Sequence, residues 1–483
     1  MKLQDIDSKQ IVILDKIRED LLGTNILGSE FFYLIKNPLY GVVKYKNDQR
    51  TSYGMYLFFI KELIRLFKFV ILRFFGRLFP KEPAALTGSF IFTIDLPRAK
   101  DINFQERILA NFDINKINIL TDSHLVGKKL NNNNARKLYK SYSMINCVGL
   151  SYRDYFLWLR VISKVRRIGL LSLPYIAMPI LESILYIRLY ESILNPLKTK
   201  AIITYSDNQM HEYAITLVAS KKGISTYTNQ HGLIGYVFEP VISSKIFVWG
   251  DVFRQQLCDM GVADSKIVTV GRVGQPNTIS HQNNVTCKKS KSLVDVYKFD
   301  PDRLTVAYFA TDYGPDENFE LFKVVCSILS LPINIIIRPR PWANKKTFNQ
   351  YSSWLHKCNS EVKANVVISN DEDFNEVFEQ IDVIVTCHSG AVLDAMSYSV
   401  VGIILDLFDH MHLRENLPYY QDAIISHDAN SLYSTIQNFI LDRNNLFRLK
   451  VETFKNSKKY FEITPGYSPE KKIADFILND CTL

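Results

Sequence analysis

Short apolar runs alternate with longer amphipathic stretches through most of the chain. SFIFTIDL (89–96) and INILTDS (117–123) have the length and residue types of buried strands. KAIITYSD (200–207) reads as a strand, NQMHEYAITLVASKKG (208–223) as a helix stopped by Gly223, and ISTYTNQHG (224–232) as the next strand. SKIFVWG (244–250), the helix DVFRQQLCDMG (251–261) closed by Gly261, and KIVTVGR (266–272) continue the series. Apolar strands alternating with glycine-stopped helices predict parallel βαβ units covered on both faces.

After Gly271 the rhythm stops. Residues 276–302 are polar and without period, and read as a linker. A second series follows: LTVAYFA (304–310), the helix NFELFKVVCSILS (318–330), INIIIRPRP (333–341), NVVISN (365–370), DVIVTCHSG (382–390) and VVGIILDL (400–407). The expected fold class is therefore α/β, with two tandem Rossmann-like domains facing a cleft and an extra helical N-terminal region. The boundaries fall at 1–85 for that region and 86–275 for the first domain, which carries a helical insertion at about 151–197. The linker is 276–302, the second domain 303–465 and a C-terminal tail 466–483.

Two stretches break the pattern in a different way. In MYLFFIKELIRLFKFVILRFFGRLFP (55–80), Lys61, Arg65, Lys68, Arg73 and Arg77 interrupt a run of Phe, Leu and Ile. A spanning helix needs about 20 mostly apolar residues. On a helix these cations gather on one side and the apolar residues on the other, which suits either an anionic bilayer surface or a packed helix with a solvated basic face. YFLWLRVISKVRRIGLLSLPYIAMPILESILYIRLY (155–190) is similar. Its longest uncharged run, Ile168 to Leu181, is broken by Pro174 and Pro179, too short to span. The expectation is peripheral attachment to the inner face of the cytoplasmic membrane, not insertion.

Composition adds bounds. A chain of 483 residues exceeds what one core organises, and 47% hydrophobic with 22% charged residues describes a folded protein. The net charge of +9 admits an anionic partner. The aliphatic density of the basic stretches argues against nucleic acid. Seven scattered cysteines without paired spacing read as free thiols in a reducing, cytoplasmic setting. The N-terminus has charges where a signal peptide needs its apolar region. Neither a P-loop, an H-E-x-x-H pair nor a G-x-S-x-G turn is present, so no metal or cofactor is expected.

In parallel sheets, ligands bind beyond the carboxyl ends of the strands. That rule selects His231 and Asp207 in the first series, with Asp207 also placed to cap the following helix. In the second series it selects Thr311 and Asp312, then Arg338 and Arg340, then His388, Ser389 and Gly390 before a helix. Hydroxyl and backbone N–H groups beside two arginines make a candidate phosphate pocket.

QHG (230–232), SKIFVWGDVFRQQLCDMGVADSKIVTVGR (244–272) and DFNEVFEQIDVIVTCHSGAVLDAMSYSVVGIILD (373–406) resemble, in order and layout, the GT-B-fold glycosyltransferases of bacterial surface-polysaccharide assembly. The layout is similar to that of the CDP-glycerol glycerophosphotransferase group and of capsule and lipopolysaccharide sugar transferases. The resemblance implies His231 as general base, Ser389 and Gly390 with His388 as holders of the donor phosphates, and Asp394 as a ribose or sugar contact. Many of that group carry a histidine in an R/K-P-H-P stretch. This chain reads RPRP, and Arg340 is a permanent cation that cannot act as an acid, which counts against a glycerophosphate donor. The implied activity is metal-independent transfer of a sugar from a nucleotide-sugar, bound as substrate, to a glycan or lipid-linked acceptor. Two alternatives share the layout: a non-hydrolysing UDP-sugar 2-epimerase, and a catalytically inactive GT-B scaffold in a polysaccharide-assembly complex.

Overall fold

The computed structural model describes residues 89–94, 99–120, 139–140, 150–165, 173–206, 209–234, 238, 240–274, 292–311, 315–339, 345–357, 362–369, 378–387, 389–407, 417–462 and 467–481, with residues 19, 25–26 and 29–30. The amphipathic stretch 55–80 lies outside the described residues. Strands β1 (Asn25–Ile26) and β2 (Ser29–Glu30) form a short antiparallel pair. The chain divides into two compact units, one of Met1–Trp249, Phe253–Gly274 and Tyr467–Leu483, the other of Gly250–Val252 and Gln275–Gly466.

The first unit runs β3 (Phe90–Thr93), α1 (Ala99–Leu109), β4 (Ile117–Leu120), β5 (Tyr139–Lys140), α2 (Tyr152–Val165), α3 (Leu173–Ile193), β6 (Ala201–Thr204), α4 (Met210–Lys221), β7 (Ser225–Asn229), β8 (Lys245–Val248), α5 (Asp251–Asp259) and β9 (Ile267–Thr269). Its sheet is parallel in the order β5-β4-β3-β6-β7-β8-β9. The chain grows outward from β3 to β5, then crosses back to β6, so the switch point lies between β3 and β6. Gly223 and Gly261 adopt φ of +72° and +85°, left-handed turns that end α4 and α5 where the sequence predicts.

Side-chain alternation sends Phe90, Phe92, Ile117, Ile119, Ala201, Ile203, Tyr227 and Phe247 to one face of this sheet. Ile91 and Ile202 point the other way, into a core built from α3 and α4. The inserted helices divide the labour: the described side chains of α3 are mostly buried, with Ile180, Leu181, Ile184 and Ile187 each 0% exposed, whereas α2 buries one face against the same core and exposes the other. The long apolar run is thus explained by protein packing. Among the described residues no helix is long and apolar enough to cross a membrane.

The second unit runs α6 (Leu293–Tyr297), β10 (Leu304–Phe309), α7 (Pro315–Cys326), β11 (Ile333–Arg338), α8 (Lys345–Lys357), β12 (Asn365–Ile368), β13 (Val383–Thr386), α9 (Ala391–Ser397), β14 (Val401–Leu405), β15 (Ile424–Ser426), α10 (Ala429–Leu441) and α11 (Arg443–Ser457). The parallel order β12-β11-β10-β13-β14-β15 repeats the Rossmann arrangement, with its switch point between β10 and β13.

The residues read from sequence as a tail form α12 (Pro469–Asp480), which belongs to the first unit. Ile473, Ala474 and Ile477 enter its core, and Asp480 accepts a hydrogen bond from Tyr227. The cysteine expectation also needs correcting. Cys258, Cys387 and Cys481 are free, whereas Cys326 is disulfide-bonded. Sequence spacing carries no information about which thiols meet in space.

Candidate functional site

In the first unit the parallel register ends β6, β7 and β8 side by side, and the polar groups gather at these tips. Glu212, in the first turn of α4, is fully buried. Its carboxylate accepts from Thr93 Oγ1 at 2.5 Å and from the backbone N–H groups of Tyr205 and Ser206 at 3.0 and 3.1 Å. A buried carboxylate is tolerable only with such partners. Here it ties the tip of β6 to the tip of β3 across the switch point. Its neighbour His211 is also internal, set edge-on to Tyr186 and Tyr190 of α3.

Glu212 thereby fixes Tyr205, and Tyr205 is one wall of the His231 site. The imidazole lies 5.2 Å from the Tyr205 ring and is stacked on Phe238 at 5.0 Å. His231 is part-exposed at the end of β7. Gln230 holds the turn in place. Its Nε2 donates to Gly232 O at 3.0 Å, its Oε1 accepts from Trp249 N at 2.9 Å, and its carbonyl accepts from Trp249 Nε1 at 2.9 Å. The Trp249 ring in turn carries the Arg272 guanidinium at 4.5 Å. The histidine is thus delivered by a strand end whose geometry is set by buried amide, carboxylate and aromatic neighbours. Gln230, Tyr205 and Glu212 were not legible as its supports, because only the fold shows which groups they meet, as when Glu212 reaches Thr93 on β3 and Gln230 reaches Trp249 beyond β8.

In the second unit three adjacent strands, β11, β10 and β13, end with Arg338, Thr311 and Cys387, and Ser389 and Gly390 lead from the last of them into α9. Adjacent strands are spaced by about 4.8 Å, so these tips span roughly 10 Å, the scale of a diphosphate with its ester groups. Arg338 is half-buried, with its guanidinium 5.5 Å from the Phe309 ring centre. Thr311 is 3% exposed, and among the described residues its hydroxyl has no hydrogen-bond partner. Thr228 and Tyr308 share this unbonded state inside their strands, so it is the place of Thr311 just past the tip of β10, where ligands bind, that marks its hydroxyl for a polar partner.

Ser389 Oγ accepts from Ala391 N at 3.2 Å, shaping the turn into α9. A Cβ placed on Gly390 would meet nothing within 4 Å, so the turn opens on free space. Tyr419, fully buried, donates its hydroxyl to the Ser389 carbonyl at 2.6 Å. Burial holds this phenol well above its ordinary ionisation range, so it stays a donor. Asp394 lies on the first turn of α9, part-exposed, and next to the turn. Asp406, at the end of β14, accepts from Tyr420 at 2.7 Å. Tyr419 and Asp406 were missed from sequence, where nothing distinguishes a buttressing tyrosine from any other core aromatic.

The structure therefore places Arg338, Ser389, Gly390 and Asp394 at one edge of the second sheet and His231 at the equivalent edge of the first. Asp207, Asp312, Arg340 and His388 lie outside the described residues.

No protein-family model matches this chain, and no curated protein matches it in sequence. Solved structures do. The Staphylococcus aureus MnaA–UDP co-structure superposes with a TM-score of 0.52 at 14% identity, covering 82% of this chain and 97% of that one. A glycosyltransferase from Rickettsia africae gives 0.52 at 11% identity, covering 81% and 98%. The wall teichoic acid polymerase TagF gives 0.50 at 11% identity, covering 88% and 98%. At these identities the likeness speaks to fold alone, that of two tandem Rossmann-like domains of the GT-B class.

Proposed function

We propose that this GT-B-fold chain is a metal-independent glycosyltransferase, moving a sugar from a nucleotide-sugar to a glycan or lipid-linked acceptor in cell-surface polysaccharide assembly. The observation that carries the reading is the edge of the second sheet. An unbonded buried hydroxyl, a guanidinium and an open serine–glycine turn converge at its switch point, where open α/β sheets take nucleotides. The neighbours support the same ligand class, since one is a complex with UDP and another is called a glycosyltransferase.

In this reading Arg338, Thr311, Ser389 and Gly390 hold the donor phosphates, with Arg340 and His388 beside them and Asp394 on a ribose or sugar hydroxyl. Asp312, next to Thr311 in sequence, is read as a further donor contact. The acceptor belongs to the first unit. His231 takes the proton of the acceptor hydroxyl, whose oxygen attacks the anomeric carbon. The bond from that carbon to the phosphate oxygen breaks, and the nucleotide leaves with the electron pair. Histidine is the side chain most often used as a general base in such a proton transfer. The arginine and the backbone N–H groups of the turn stabilise the charge that grows on the phosphate. The N-cap position of α4 is Gln209, not Asp207, which leaves acceptor contact as the role read for Asp207. The site of action is the inner face of the cytoplasmic membrane, where a lipid-linked acceptor is reached.

The test is nucleotide release from a panel of nucleotide-sugars, with lipid extract as acceptor source. His231→Ala should lower turnover by roughly a hundredfold or more while donor binding persists. Unchanged turnover would remove the histidine from the mechanism. A second reading has a specific support: the UDP-GlcNAc 2-epimerase of Neisseria meningitidis, bound to UDP-GlcNAc, superposes at a TM-score of 0.50 and 14% identity, covering 81% of this chain and 100% of that one. That reading requires an epimerised sugar nucleotide formed without any acceptor, which the same assay detects.

A further inference from the structure

Helix α2 of the first unit carries an apolar stripe that nothing among the described residues covers. Asp154 and Val161 of α2 are buried, and Tyr155, Leu157, Trp158 and Ile162 pack partly against the core behind it. The opposite face shows Tyr152, Phe156 and Leu159, which are 69%, 72% and 56% exposed. Their spacing of four and three residues puts them on one line along the helix. Single exposed apolar residues are ordinary, but an aligned aromatic and aliphatic set is not.

The charge around the stripe has one sign. Arg153 and Arg160 are exposed beside it, and Lys164 is partly exposed one turn on. The one acidic residue of α2, Asp154, has a side chain only 3% exposed and is bound to Ser151 and Arg188. The outer face therefore offers cations and apolar groups and no anion. Helix α3, the more apolar of the two, takes no part because the core already surrounds it.

We propose that this face of α2 docks on the surface of an anionic lipid bilayer. The helix lies flat, Tyr152, Phe156 and Leu159 enter the headgroup region, and Arg153 and Arg160 meet lipid phosphates. Charge selects the occupant. A second copy meeting this face about a twofold axis would set the same arginines against each other, whereas an anionic bilayer complements them. The proposal deepens the reading of a lipid-linked acceptor by naming the surface that keeps the enzyme beside it. It rests on the exposure of α2 and not on the nucleotide site, so either can fail alone.

The experiment is co-sedimentation of the full chain with phosphatidylcholine vesicles, with and without phosphatidylglycerol, at low and physiological salt. The wild type should bind only the anionic vesicles, less at higher salt. The Phe156→Glu, Leu159→Glu variant should bind them roughly tenfold less or worse, with unchanged thermal unfolding and unchanged nucleotide binding. Arg153→Glu, Arg160→Glu should lose binding similarly, and serves should the first variant not fold. Wild-type binding that ignores lipid charge, or is absent, overturns the proposal. Retention of full binding by both folded variants does too, and places the lipid contact on another segment. Loss of a dimer in either variant, without vesicle binding by the wild type, assigns the face to a second copy.

Discussion

At the scale of single residues, the most informative group is a hydroxyl that makes no bond. Thr311 closes β10 with its Oγ1 enclosed and unsatisfied. If that oxygen is kept for a ligand, removing it should help the empty protein and harm the complex. Thr311→Val is expected to leave the unliganded melting temperature unchanged or raise it, by up to about 1 kcal/mol of stability, because an unsatisfied buried polar group is destabilising. The same variant should lose much of the thermal shift given by the bound nucleotide. A variant that melts lower, yet keeps the full shift, would make Thr311 a core residue. His231 and Ser389 were legible from sequence because glycine follows each at a strand end. Thr311 was legible by position. Its unbonded state was not, since satisfaction depends on every neighbour in space.

At the scale of elements, α2 and α3 show where the reading of sequence fell short. The sequence joins them in one apolar, basic stretch, and hydrophobic content alone cannot say which half faces protein. The structure separates them with one ion-paired clamp. Asp154 Oδ1 accepts from Arg188 Nε and Nη2 at 2.9 and 2.7 Å, and Oδ2 accepts from Ser151 N and Oγ at 2.8 and 2.7 Å. Arg188 also reaches Glu191 at 2.6 Å. Burial pushes the Asp154 carboxyl up. Hydrogen bonds from Ser151 and Arg188, with the arginine charge, more than offset this and leave it below the usual carboxylate range.

A carboxyl depressed on folding adds stability above its unfolded pKa, about 3.9, and loses it as pH falls through the lower folded value. Asp154→Asn should therefore be less stable than wild type by about 2 kcal/mol at neutral pH, with the difference shrinking below pH ~4. Urea unfolding at several pH values measures this. A difference that persists undiminished into acid would show that the clamp works through shape, not charge.

At the scale of the molecule, both Rossmann rhythms were legible because parallel strands buried on two faces must be apolar, and in the first unit Gly223 and Gly261 also end the helices between them. The return of the C-terminus was not. Residues 466–483 read only as a C-terminal tail, and only contacts separated by hundreds of residues reveal where Ile473 and Ile477 pack. Tyr227 meets Asp480, and Gly274 N donates to Glu470 at 2.9 Å. Ile477→Ala, far from β7 in sequence, should destabilise the first unit by about 3 kcal/mol. Amide exchange in β3, β6 and β7 should accelerate, with β10 and β13 unaffected. Faster exchange confined to the second unit would contradict the placement of α12.

The claim on which the functional account depends is that the switch point of the second sheet binds a nucleotide. Calorimetric titration with UDP, CDP, GDP and CMP, on wild type and on Arg338→Ala, tests it most directly. The account predicts that one nucleotide binds the wild type and that the variant binds it at least tenfold more weakly, since a charged hydrogen bond to phosphate is worth roughly 1.5–3 kcal/mol. Equal affinity in the two proteins, or no heat from any nucleotide with either, would contradict it.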